Sequence, residues 1–199
     1  MANVRTPKQD RGIATRNRIM KAGFALFAQN GIHGTNSKQI VERAGVSIGT
    51  FYSYFRNKKK LLVEILDDFL DRVFLTIWKG MEGHAVNALG RDEIRLIIEN
   101  VFKAYEIAPA FLGQTHVLRY SDPEIKRCYD RERDREVTQI RYLLDSNKNR
   151  MRVRDPFAAA VVIHNAVESV AHTAMFLGPP VDKNLLMDEL ADMIFSYLL

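Results

Sequence analysis

Residues 36–60 read NSKQIVERAGVSIGTFYSYFRNKKK, and this stretch decides the fold. Asn36 is a helix cap with Gln39 three residues on, an N-x-x-Q form of the capping box in which each residue reaches back to the other's backbone. Ile40, Val41 and Ala44 give the helix one apolar face, and Gly45 stops it. Ser47 caps a second helix of about two turns, Ile48 to Phe55, whose Thr50, Tyr52 and Tyr54 exceed what a core needs. Helix, glycine turn and short helix make a helix-turn-helix.

A B-form major groove admits one α-helix, so such a pair can cross the DNA backbone with one helix and read bases with the other. Gly49 keeps the first turn of the second helix free of a side chain, which lets its backbone approach base edges. Tyr52 and Tyr54 can donate hydroxyls to phosphates, and Lys58, Lys59 and Lys60 add charge at the exit.

The run Gly31 to Leu62, with A-G-V-S-x-G-T-x-Y-x-Y-F, then N-K and a leucine pair, resembles the DNA-binding signature of the TetR/AcrR family of transcriptional regulators. Carried over residue by residue, the resemblance implies that Thr35, Tyr52, Tyr54 and Lys58 meet phosphates and that Lys38, Ser47, Ile48 and Thr50 face bases. This chain departs from the family in having Lys59 where an acidic residue is common. Three lysines at a helix start oppose its dipole, and a nearby anion such as DNA phosphate would relieve the conflict.

Charge places the polyanion partner. Residues 1–60 hold 12 Lys/Arg against 2 Asp/Glu, whereas the remainder is net acidic within a total of +5. A chain of 199 residues with 47% apolar composition can bury a substantial core. No apolar run is read as reaching the roughly 18 residues that span a bilayer, and MANVRTPKQDR lacks the core of a secretion signal, so a cytoplasmic protein is expected. The single Cys128 fits a reducing compartment and reads as an incidental helix residue.

Residues 1–12 read as a mobile tail whose Arg5, Lys8 and Arg11 are candidates for a minor-groove arm. Helical spacing then predicts Thr15–Gln29, a long helix from Asn57 to about Lys79, a glycine-rich loop from Gly80 to Gly90, and helices at Arg91–Ile107 and Phe111–Tyr120. Asp122-Pro123 opens another long helix, whose DRERDRE run reads as a solvated face stitched by i,i+4 pairs. After a basic loop, Ser146–Arg154, come Phe157–Leu177 and Leu185–Leu198. The chain is therefore expected to be all-α, with residues 1–56 binding DNA and residues 57–199 sensing a ligand and dimerising.

The last two helices are apolar on more than one side, so a second copy of the chain is the simplest cover and a four-helix bundle between subunits the expected result. Its interface residues are Ile163, Val167, Val170, Ala174, Leu190, Ile194 and Tyr197; the family resemblance implies the same arrangement. Phe74, Trp78, Phe102, Tyr105, Phe111, His116 and Tyr120 are candidates to line a cavity for a largely apolar effector, beside the competing reading of plain core. His164, Glu168 and His172 lie at i, i+4 and i+8 of one helix; the outer two stand roughly 12 Å apart, too far to share one ion. His164 and Glu168 are expected in a pocket wall or a subunit interface, without a metal or cofactor.

The expected action is that of a homodimeric repressor on a palindromic double-stranded operator, released when a ligand changes the spacing of its reading heads. The alternatives are a nonspecific architectural protein and an enzyme carrying a nucleic-acid module; the sequence contains no evident nucleophile–base pair, P-loop or metal quartet.

Overall fold

A computed structural model describes residues 10–79, 81, 89–178 and 181–199 of the chain. Among them are nine α-helices and no strand: α1 (Asp10–Gly34), α2 (Ser37–Ala44), α3 (Ile48–Tyr54), α4 (Lys58–Ile77), α5 (Arg91–Glu106), α6 (Pro109–Leu118), α7 (Pro123–Ser146), α8 (Pro156–His172) and α9 (Lys183–Leu198). The helical tail of α8 widens into a π-turn over Thr173–Leu177. Arg5 and Lys8 of the expected arm, and most of the Gly80 to Gly90 loop, lie outside the described residues. Arg11 falls within α1, which starts earlier than the apolar spacing indicated.

The helix ends obey the local chemistry. Asn36 Oδ1 accepts from the backbone of Gln39 at 3.0 Å, and Gln39 Oε1 from the backbone of Asn36 at 2.8 Å. Gly45 ends α2 at φ 63°, a left-handed conformation that costs glycine little. Ser47 Oγ caps α3 through Thr50 N at 3.1 Å, and Asn57, Asp122 and Asp155 cap α4, α7 and α8 with their side chains.

The chain forms two compact units, the first made of residues up to Phe69 with Ala110–Cys128, the second of Leu70–Pro109 with Tyr129–Leu199. Compactness thus does not follow the expected division at residue 56, because the rings of Phe24 (α1), Phe69 (α4) and Phe111 (α6) pack together at centroid distances of 5.2–5.8 Å. Their burial joins the first half of α4 and all but the first residue of α6 to the helix-turn-helix. Ile19, Phe27, Ile40, Phe51, Phe55, Leu61 and Ile65 complete that core.

In the second unit α5 lies along α9, tied by Arg91–Asp192, by Arg95 Nε to Asp188 Oδ1 at 2.7 Å and by Lys183 to Glu106 at 3.1 Å. Exposed pairs of this kind orient helices more than they stabilise them. The larger contribution is apolar burial, from Ile94, Ile98 and Phe102 on α5 and from Leu190, Ala191 and Ile194 on α9.

One expectation is corrected by α8 and its π-turn. Pro156–Leu177 is 22 residues and apolar enough by composition to cross a bilayer, although no such run was expected. Its many alanines raise the average without forming an unbroken large-apolar run. The same helix buries Ala159, Ala160, Ile163 and His164 and carries Glu168, which is the pattern of a packed helix.

Candidate nucleic-acid interface and effector site

Helix α3 buries only Phe51, followed by Phe55 at its end, and leaves Ile48, Gly49, Tyr52 and Ser53 exposed, with Tyr54 and Thr50 half-buried. Phe51 and Phe55 pin the helix to the core while its other side faces outward, so a short helix is held rigidly with no apolar partner on that side. A Cβ at Gly49 would meet nothing nearer than Ser47 Oγ at 3.8 Å, so nothing within the protein requires the missing side chain. Lys38 on α2 and Ser47 are exposed as well, although Ser47 Oγ is engaged by its cap and by Thr50 Oγ1 at 2.9 Å.

Two of the residues expected on phosphates face inward. Thr35 is only 1% exposed, and its hydroxyl donates to the carbonyls of Gly31 and Leu26 at 2.8 and 3.1 Å. Lys58 donates to the carbonyls of Ile32 and Thr35 at 2.8 and 2.6 Å, and burial pushes its ammonium below the ordinary lysine range. Both side chains hold the junction between α1 and α2, donating to carbonyls in the last turns of α1 and, from Lys58, to that of Thr35 just past it. The crowding of three lysines at the start of α4 is also resolved within the chain. Lys59 pairs with Asp122 at 2.8 Å and with Glu124 at 3.3 Å, and Lys60 pairs with Glu124. The bond to Asp122 holds the Lys59 ammonium above its ordinary range.

The expected effector residues divide between the units. Phe111 and His116 are buried in the first, Phe111 within the three-ring stack, while Tyr120 is 83% exposed and lines no enclosed space. Their spacing resembled that of a pocket because a core helix uses the same residue types. Phe74, Trp78, Phe102, Tyr105, His164 and Glu168 belong to the second unit. Phe102 also borders an open cleft with Lys103, Glu106, Val181, Lys183 and Met187, whose charged rim suits solvent better than an apolar guest.

Inside the second unit the DRERDRE run is a solvated face only in part, with Arg131, Arg133 and Asp134 exposed. Its Glu132 and Glu136 share one side of α7 with buried Tyr129, Val137 and Leu143, so the run carries both a wet side and an inner one. Arg135 pairs with Glu132 at 2.8 Å and Asp71 at 2.6 Å, and its guanidinium lies 4.1 Å from the centre of the Phe74 ring. Phe74 meets Trp78 at 6.1 Å. Glu136 Oε2 stands 3.1 Å from His164 Nδ1, and Glu168 Oε2 3.6 Å from His164 Nε2. Burial, reinforced by Glu136, pushes the Glu132 carboxyl up to about 8. The period of Ile125, Tyr129, Glu132, Glu136 and Leu143 along one helix face was the available signal, hidden by the alternating charges around it. Among the described residues no group of three or more His, Cys, Asp or Glu has the geometry to hold a metal.

The expected subunit-interface residues divide too. Ile163, Ala174, Leu190 and Ile194 are buried within the chain itself, Val167 and Val170 are half-buried, and Tyr197 is exposed. The apolar side chains that α8 and α9 turn outward are Phe157, Val162, Leu185, Met193 and Tyr197.

Residues 19–65 match the bacterial regulatory proteins of the tetR family, and residues 91–198 match the tetracyclin repressor-like C-terminal domain. The chain belongs to the TetR family of transcriptional regulators. Among curated relatives of this TetR-family chain, the regulator YdgC of Bacillus subtilis is 34% identical over 100 residues, 48% of this chain and 49% of the relative. RutR of Escherichia coli K12 is 34% identical over 95 residues, 47% of this chain and 45% of its own length. The chain therefore spans about half the length of the curated relatives it matches. A TetR-family regulator from Mesorhizobium loti superposes with a TM-score of 0.75 at 18% identity, over 94% of this chain and 96% of the other. A regulator from Saccharomonospora viridis, solved in complex with choline, superposes with the same score and identity over 92% and 96%. At such identity these two structures speak for the fold.

Proposed function

We propose that this TetR-family regulator is a homodimeric repressor that occupies a palindromic operator and leaves it when a small molecule binds the second unit. The observation that carries the reading is α3, pinned by Phe51 and Phe55 while Ile48, Gly49, Tyr52 and Ser53 stand exposed. Lys38, Ile48 and Thr50 are assigned to base edges, and Tyr52 and Tyr54 to phosphates. The outward apolar residues of α8 and α9 supply the dimer contact, which sets two α3 helices one DNA turn apart, ~34–36 Å. That a fold neighbour holds choline supports a small-molecule effector in this architecture.

The chain passes between its units after Phe69, after Pro109 and after Cys128, so α4, the α5–α6 junction and α7 are all routes for the signal. A ligand that binds the DNA-incompetent state more tightly by about 1–3 kcal/mol weakens operator binding roughly 5- to 150-fold. The test is selection of bound sequences from random DNA, followed by footprinting. A single short symmetric protected site is expected; uniform protection of the whole fragment points to an architectural protein and ends the repressor reading.

A further inference from the structure

Lys59 and Lys60 border the helix-turn-helix in two ways. Lys58 Nζ reaches the carbonyls of Ile32 and Thr35, which lays the first turn of α4 beside the start of α2. Only Phe55, Arg56 and Asn57 separate that turn from the end of α3. The Lys59 and Lys60 side chains are 44% and 47% exposed, so both ammonium groups stand at the surface of the first unit, within its basic third. Two such cations beside a DNA-binding motif would ordinarily be counted among its phosphate contacts.

Their charge is already answered within the same unit. Asp122 Oδ2 takes Lys59 at 2.8 Å, while Glu124 divides its two oxygens, Oε1 to Lys59 at 3.3 Å and Oε2 to Lys60. The start of α7 fixes the Asp122 carboxylate in place, because its other oxygen, Oδ1, accepts from the backbone N–H groups of Glu124 at 2.9 Å and Ile125 at 3.4 Å. The bond from Lys60 holds the Glu124 carboxyl below its ordinary range. Two ammonium groups thus meet two carboxylates, and a DNA phosphate that took either lysine would leave a carboxylate unpaired beside a polyanion. Exposed pairs contribute little to stability, so the main effect of this cluster is on the charge that reaches a partner.

We propose that Asp122 and Glu124 are internal counterions that withhold Lys59 and Lys60 from DNA phosphates and so set the sequence-independent part of this regulator's affinity for DNA. Phosphate contacts supply essentially all of the binding to DNA at large, so withholding two of them leaves less of the protein held away from its target. Asp122 and Glu124 touch no DNA themselves and act through the lysines. The proposal rests on DNA binding by the helix-turn-helix and not on repression or on an effector.

Affinity for a short duplex of random sequence, followed by fluorescence anisotropy over a salt series, tests it in the wild type, Glu124→Gln, Lys60→Ala and the variant carrying both changes. Glutamine keeps the shape of the side chain and leaves the Asp122 cap in place. Glu124→Gln is expected to bind the duplex about three- to tenfold more tightly at low salt, with log affinity falling more steeply against log salt by up to about 0.9 for each lysine released. Lys60→Ala should change wild-type affinity by less than about twofold yet remove most of the gain in the Glu124→Gln background, a coupling that independent charges do not show. Asp122→Asn, which keeps an oxygen on the α7 start, should strengthen binding in the same sense through Lys59. Equal effects of Lys60→Ala in the two backgrounds overturn the proposal, since the charges then act separately. Weaker DNA binding by Glu124→Gln also overturns it, and makes the carboxylate a support for lysines that already sit on phosphates. Because the duplex carries no operator, failure of the repressor reading would leave these outcomes untouched.

Discussion

Gln114 Oε1, on α6, accepts a hydrogen bond from the backbone N–H of Ile32 at 2.8 Å, just past the break in α1. Gly31 makes this possible in two ways. Its φ of 77° turns the chain into a conformation other residues resist, and a Cβ there would sit 3.1 Å from Gln114 Oε1. The residues that follow lead into Thr35, Asn36 and the start of α2. Gln114→Leu leaves the Ile32 N–H without its acceptor, at a cost of about 1–3 kcal/mol. For a chain of this size each kcal/mol lowers Tm by roughly 2–4 °C. Operator affinity should fall along with it, and an unchanged melting curve would mean that water satisfies Ile32 equally well.

Lys58→Met separates clamp from phosphate contact. The methionine keeps the apolar stem but cannot donate to the Ile32 and Thr35 carbonyls. The variant should melt several degrees lower and bind all DNA sequences more weakly, with the slope of affinity against salt unchanged. Should the slope instead drop by about one with Tm intact, the ammonium belongs to a DNA phosphate.

Gly49→Ala fits the free protein, where the new Cβ has a nearest neighbour at 3.8 Å, and replaces glycine within a helix. Its melting temperature should hold or rise, since alanine is favoured over glycine in helices by about 1 kcal/mol. Operator binding should weaken by tenfold or more because the methyl stands where the backbone approaches base edges. Wild-type affinity in the alanine variant would remove the first turn of α3 from the groove.

Val162, on α8, is 57% exposed in the chain, whereas its neighbour Ile163 is buried. Val162→Glu should therefore leave the fold intact, as judged by circular dichroism, and give a monomer in sedimentation with little operator affinity. An intact dimer would take this face of α8 out of the interface.

Glu132 makes stability depend on pH in a set direction. Its folded pKa of about 8 lies above the ordinary 4.5, so between these values the unfolded chain has released a proton that the folded one retains. Stability from this group is thus lost as pH rises from about 4.5 to 8 and is level beyond. Glu132→Gln should match the wild type in pH dependence below that window and gain on it steadily up to about pH 8. The gain should reach a few kcal/mol, at about 1.4 kcal/mol per pK unit. Parallel Tm profiles for the two proteins across that range would show that Glu132 is ionised in the fold.

The sequence by itself determined what short-range chemistry controls. Asn36 with Gln39, Gly45, Ser47, Asp122 and Asp155 end or start helices through atoms two to four residues away, so the helix-turn-helix and the all-α order were legible from spacing alone. Only the tertiary structure decided which side of each helix is covered, because that depends on segments remote in the chain. The carbonyls awaiting Lys58 lie 23 and 26 residues away from it, and the Ile32 N–H lies 82 residues from Gln114. Phe111 became core rather than pocket through Phe24 and Phe69, and Glu136 turned inward because α8 brings His164 to it. A charge pattern along one helix states where ions can sit, but whether water or another helix meets them is set by long-range packing, which desolvates one face and leaves the other wet.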